Sequence, residues 1–159
     1  MNKHTYALAL CLAGCGLHAC VNAAAAASAP RLEPIPVAEA LKTRYMAMFT
    51  SVVSSPDGRL VAYTVRDNAR ADRPALSSHG DVYTATGATL ACYGCDVYVT
   101  DQSSGETLNV SGGKGSSNYV AWSPDSRHLA FYSDRDGQMR AWVWEVSTRA
   151  LRRVSDAPV

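Results

Sequence analysis

The chain has 159 residues, 47% of them hydrophobic and 18% charged, with a formal net charge of +1. That balance excludes a disordered solvating chain and a basic nucleic-acid scaffold, and the length fits one folded domain. The arginines from Arg59 to Arg153 are spread among acidic residues, with only Arg152 and Arg153 adjacent, so no basic stripe faces a nucleic acid.

Residues 1–29 read as a targeting segment. Lys3 gives a short positive start, Tyr6 to Leu17 is an apolar run, and alanine-rich sequence continues to Ala29. The run is too short to cross a bilayer and has the form of a secretory signal peptide. Two processing routes fit. Leu12-Ala13-Gly14-Cys15 has the pattern of a bacterial lipobox, which makes Cys15 a lipidation candidate and anchors the chain to the outer membrane. Ordinary cleavage near Ala27 or Ala29 fits the small residues there, and Pro30 favours a cut before Ala29. Both routes predict a periplasmic or secreted protein. Ordinary cleavage removes Cys11, Cys15 and Cys20 and leaves Cys92 and Cys95 as a C-x-x-C pair in an oxidising compartment.

Residues 30–50 form a leader. Pro30, Pro34 and Pro36 predict extended chain, and Val37 to Lys42 predicts a short helix with Pro36 suited to its first turn. Arg44 to Thr50 leads toward a strand. Ser55-Pro56-Asp57-Gly58 is then a strong turn signal, since proline presets φ, Asp bonds back to the chain and Gly accepts a positive φ. Its flanks, Val52-Val53 and Leu60 to Val65, are β-formers. Ser123-Pro124-Asp125-Ser126 repeats the turn, between Tyr119 to Trp122 and Leu129 to Tyr132. The structural reading of Pro56, Asp57, Gly58, Pro124 and Asp125 is turn geometry.

The two copies align at an offset of 68 from Ser55 onto Ser123, and at an offset of 44 from Val97 onto Ala141. The difference, 68 minus 44, is a 24-residue insertion near residues 68–91 of the first copy. It contains one strand-like piece, Asp81 to Thr84. A period near 44 with four short strands is the mark of a propeller blade. The expected fold is therefore all-β, a partial propeller of about two four-stranded blades at residues 51–117 and 118–159. A closed propeller needs roughly four to eight blades, so the second blade reads as truncated and the chain as the front of a longer protein. Apolar strand faces around Tyr98, Trp142 and Trp144 are expected to lie open to water.

Several motifs invite chemistry. Ser133-Asp134-Arg135-Asp136-Gly137 has carboxylates at calcium-loop spacing but lacks the further oxygen ligands, so it reads as a solvated turn. Gly112-Gly113-Lys114-Gly115-Ser116-Ser117 fails the phosphate-loop spacing and reads as a link between blades. Cys92-Tyr93-Gly94-Cys95 fits a local disulfide first. Free thiols, a metal half-site completed by His79 and His128, and a redox pair are the alternatives. No G-x-S-x-G elbow is present, and no nucleophile stands with a base. No catalytic residue, metal site or cofactor is assigned. The loops Arg66 to His79 and Asp134 to Gly137 are the contact candidates, because loops carry the variable surface of such folds.

The order Trp122-Ser123-Pro124-Asp125 through Leu129-Ala130-Phe131, then Ser133 to Gly137, then Trp142-Val143-Trp144-Glu145, resembles the Asp-Pro-rich β-propeller repeats of the TolB type. Ser55 to Tyr63 carries the first copy, and the resemblance covers residues 40–159. It implies one of two arrangements. In the first, the chain is the non-catalytic N-terminal propeller of a prolyl oligopeptidase-like serine peptidase, gating peptide access to a C-terminal hydrolase domain. In the second, it is a TolB-like periplasmic module that binds peptide or protein. Self-association is a further way to complete the ring.

Overall fold

A computed structural model describes residues 33–48, 50, 52–70, 76–77 and 80–159. The signal region with Cys15, and His79, lie outside the described residues. The compact unit is Ile35–Val159. It opens on a single helical turn, α1 (Val37–Ala40), shorter than the sequence predicts. No residue of α1 is buried, and its Glu39–Lys42 ion pair of 2.8 Å is exposed, so little holds the helix beyond one turn.

The first sheet contains β1 (Arg44–Met46), β2 (Val53–Ser54), β3 (Leu60–Asp67), β6 (Cys95–Asp101) and β7 (Thr107–Asn109). β1 and β2 both pair with β3, at Tyr45↔Arg66 and Val53↔Ala62, so strand pairing begins inside the sequence-defined leader. Between β3 and β6 the insertion forms a hairpin of β4 (Leu76–Ser77) and β5 (Gly80–Thr84), then a 3-10 turn at Leu90–Cys92. The second sheet is the meander β8 (Ser117–Trp122), β9 (His128–Ser133), β10 (Arg140–Glu145) and β11 (Leu151–Arg153).

The two sheets share one register. Val53 faces Ala62, and Ala121 faces Ala130, both partners displaced by 68. Val65 faces Asp96 while Ser133 faces Arg140, displaced by 68 on one strand and 44 on the other. Tyr98 faces Asn109 and Trp142 faces Arg153, displaced by 44. The insertion is thus absorbed entirely between β3 and β6. A one-residue slip in either copy would turn its core side chains outward, so matching registers follow from matching apolar alternation.

The turns repeat atom for atom. Ser55 Oγ donates to Asp57 at 2.5 Å and accepts Leu60 N–H at 2.9 Å; Ser123 Oγ does the same with Asp125 and His128, at 2.5 and 2.9 Å. These bonds hold the Asp57 and Asp125 carboxyls below their ordinary range, the serine hydroxyl being the largest cause in each. Pro56, Asp57, Gly58, Pro124 and Asp125 are all exposed. Gly58 takes φ +74, and Ser126 holds the same left-handed conformation at φ +60. Its hydroxyl explains the departure from Gly, because it accepts Asp57 N–H at 3.0 Å and ties the two turns together. Ser55→Ala leaves the buried Leu60 N–H without its partner and should lower the unfolding free energy by about 1–3 kcal/mol. Ser123→Ala at the half-buried copy should cost less, a ranking that paired urea melts read directly.

The core lies between the sheets. Leu60, Ala62, Val97, Val99 and Val110 from the first pack with Leu129, Phe131 and Trp144 from the second. Trp122 Nε1 donates across to Val53 O at 3.0 Å. The expectation of open faces is corrected here. Trp144 is 4% exposed because its strand turns that face onto the first sheet. Trp142 is half-buried, with the Arg135 guanidinium 4.9 Å from its ring, and Tyr98 is half-buried and stacked on Tyr63 at 6.0 Å.

Candidate functional site

The insertion folds back on the sheets and makes a cavity of about 250 Å³. Thr64 of β3, Val82 and Tyr83 of β5, Cys92, and Asn118 and Tyr119 of β8 are among its walls. A second cavity of about 430 Å³ shares Tyr83, Asn118 and Tyr119 and extends to Tyr132 and Met139. The two form one groove along the end of β8.

A bulge in β8 shapes this groove. Register with β9 slips between Asn118 and Ala121, and Tyr119 takes φ +54, a conformation uncommon for a bulky residue. The bulge turns Asn118 inward, 4% exposed, and leaves Tyr119 61% exposed with its ring edge-on to Tyr132 at 6.3 Å. Tyr83 and Val82 are exposed on the opposite wall. Backbone strain is thus spent on displaying an aromatic side chain beside other aromatics.

Cys92 and Cys95 sit at the base of the groove. The 3-10 turn carrying Cys92 is held by Arg66, whose Nη1 donates to Leu90 O at 3.0 Å and Ala91 O at 3.3 Å. Gly94, at φ +74, donates its N–H to Ser116 Oγ at 3.0 Å, and Cys95 enters β6 opposite Arg66. Both cysteines are free and buried, at 7% and 0% exposure. The Cys95 thiol, packed against Cys92, is the largest cause holding Cys92 down at about 6, with Asn118, Thr89 and the Arg66 charge acting the same way. The same pairing, with burial, pushes Cys95 up. The sequence reading put a disulfide first; the structure places the two thiols in contact and gives them unequal surroundings.

The expected contact loops are largely committed inward. Arg70 pairs with buried Asp96 and donates to Gly115 O at 2.6 Å. Asp134, read from sequence as part of a solvated turn, is 7% exposed. Its carboxylate accepts Ser116 N–H at 2.5 Å and Thr86 O–H at 2.5 Å, joining the insertion to the link between the sheets. Arg135 donates to Ser111 O at 3.3 Å, and Asp136 pairs with Arg153 at 2.9 Å. Residues 71–75 and 78–79 of the other loop lie outside the described residues. His128 stands on β9 without a cysteine partner, and no three His, Cys, Asp or Glu side chains converge among the described residues. Sequence reasoning missed Asn118 and Tyr119, whose only local signal is a pair of polar and aromatic residues opening a strand.

No family model matches the chain. It is 34% identical over 62 residues to an uncharacterized protein of Agrobacterium fabrum, an overlap covering 39% of this chain. The overlap covers 21% of that protein, so the chain spans about a fifth of the length of the curated relative it matches. Among solved structures it is similar to a "putative TolB" of Agrobacterium tumefaciens, with 23% identity and a TM-score of 0.47 over 70% of this chain and 32% of that one. It is also similar to TolB of Acinetobacter baumannii, with 15% identity and a TM-score of 0.37 over 69% of this chain and 22% of that one.

Proposed function

We propose that the chain is part of a TolB-like β-propeller module that works outside the cytoplasm and docks peptide or protein segments in the groove along β8. The observation that carries the docking reading is Tyr119, strained and exposed among Tyr83, Tyr132 and Val82. Aromatic side chains that are rigid, amphipathic and half-wet are the anchors preferred in protein recognition. Two consecutive sheets with one register support the propeller part of the reading, and the apolar run at Tyr6 to Leu17 supports export. The peptidase-gating arrangement draws no separate support from the groove, so the binding module is the reading put forward.

The test is a titration of short peptides carrying Phe or Tyr, read by fluorescence anisotropy. Binding should weaken by about tenfold or more in Tyr119→Ala, an aromatic anchor removed. Arg149→Ala, whose pairing with Glu106 is remote from the groove and exposed, should leave it unchanged. Equal affinities for the parent chain and Tyr119→Ala would remove the groove from consideration.

A further inference from the structure

The cysteine pair carries chemistry that docking does not use. Cys92 lines the cavity, whereas Cys95 does not and is wholly buried behind it. The Asn118 side chain, shared by both cavities, lines the same wall as Cys92 and helps hold its thiol down, and its own Oδ1 is buried with no partner among the described residues. A buried acceptor left unpaired costs free energy, and such groups in folded proteins call for a functional explanation. Here the unpaired amide oxygen belongs to the side chain that shares the cavity wall with Cys92. Arg66, whose Nε is likewise buried and unpaired among the described residues, supplies a positive charge that acts on Cys92.

We propose that Cys92 and Cys95 form a thiol–disulfide exchange site for low-molecular-weight organic disulfides, with Cys92 attacking from the cavity wall and Cys95 resolving from behind. In the first step the Cys92 thiolate, its proton already lost to solvent, attacks one sulfur of R–S–S–R. The S–S bond of R–S–S–R breaks, a Cys92–S–S–R mixed disulfide forms, and one R–S⁻ leaves and takes up a proton from solvent. In the second step Cys95 loses its proton and attacks the Cys92 sulfur. The S–S bond to R breaks, the Cys92–Cys95 bond forms, and the second R–S⁻ leaves and takes up the proton that Cys95 released. The two protein thiols are oxidised by two electrons and the organic disulfide is reduced to two thiols. The cavity of about 250 Å³ admits a small disulfide and excludes a folded protein domain. Asn118 is a positioning residue. Among the described residues, Cys95 and Arg66 act on Cys92, Tyr83 and Tyr119 line the same cavity, and Asp96 acts on Cys95. The site does not depend on peptide docking.

The test uses the full chain, reduced, folded and treated with a limiting amount of 2-hydroxyethyl disulfide, with adducts located by peptide mass spectrometry after cleavage at Tyr93. Parent chain should pass through an adduct at Cys92 and end as the Cys92–Cys95 disulfide. Adduct at Cys92 should exceed adduct at Cys95 by about tenfold or more, and the preference should vanish in urea. Cys95→Ser should stop at the mixed disulfide on Cys92. The Cys92 rate should fall only as pH drops through about 6, and Asn118→Leu should move that fall toward the ordinary thiol range. First attack at Cys95, equal adducts in the folded chain, or no reaction until urea is added would each overturn the proposal. The parent-chain measurement needs no variant, so a misfolded mutant does not blunt the test. Failure of peptide titration with this pattern intact would count against docking alone.

Discussion

Gly115→Ala should be among the most damaging single substitutions in the chain, costing about 2–5 kcal/mol. Gly115 holds φ +64, and a Cβ there would stand 2.7 Å from Arg135 N and 2.8 Å from Arg135 Cα, with the Asp134 carboxylate closer still. Two penalties add. The left-handed backbone disfavours any L side chain, and the obstructing atoms are backbone and a buried carboxylate rather than a free side-chain end. Moving Asp134 aside breaks its bonds to Ser116 N and Thr86 Oγ1, through which the insertion is tied to the second sheet. Gly112→Ala separates the two effects, because Gly112 has φ +66 with nothing within 4 Å of its Cβ position. That control should lose only about 1–2 kcal/mol. Equal urea midpoints for the two variants would show that the close approach at Gly115 is not rigid.

Trp144→Ala should cost about 3–5 kcal/mol, the range for removing a buried large aromatic. Its side chain is 4% exposed and fills the space between Leu60 and Val99 of one sheet and its own strand neighbours in the other. The sheets meet through this ring, so its loss opens the interface instead of a closed pocket within one sheet. Tyr98→Ala, on the far face where the ring is half-buried and stacked on Tyr63, should cost clearly less. Thermal melts followed by tryptophan fluorescence and by far-UV circular dichroism read both, and loss of coincidence between the two signals in Trp144→Ala would reveal sheets unfolding apart.

The repeated part of the fold was legible because its causes are local. Ser-Pro-Asp dictates its own turn through hydrogen bonds spanning two to five residues, and period-two alternation sets which face is buried. Both offsets and the paired alternation follow from those rules, whereas β1 at Arg44–Met46 and the start of β8 at Ser117 do not. The mutual burial of Trp144 was not, since alternation says that a face is apolar without saying what covers it. Asp134 was misread for a related reason. Charged residues in a turn ordinarily meet water, and the alternative donors to Asp134 come from Thr86, 48 positions earlier, and Ser116, 18 positions earlier. At the cysteines, the spacing was visible but the inequality was not. It arises first from the pairing of the two thiols, then from Asn118, which acts on Cys92 alone and reaches it across a bulge that no residue between Asn118 and Ala121 announces.

The matched registers have a consequence for how such a protein changes over time. The longest difference between the two sheets enters and leaves between Asp67 and Cys95, and the β3–β6 pairing that follows it keeps the register of β9 with β10, where that segment is short. One wall of the groove is therefore separable from the sheets that carry the other. A lineage can lengthen, trade or delete the segment and reshape the wall that Val82 and Tyr83 supply while the ladders on either side stay in step. For engineering, the same joint is a natural port for grafting a foreign loop.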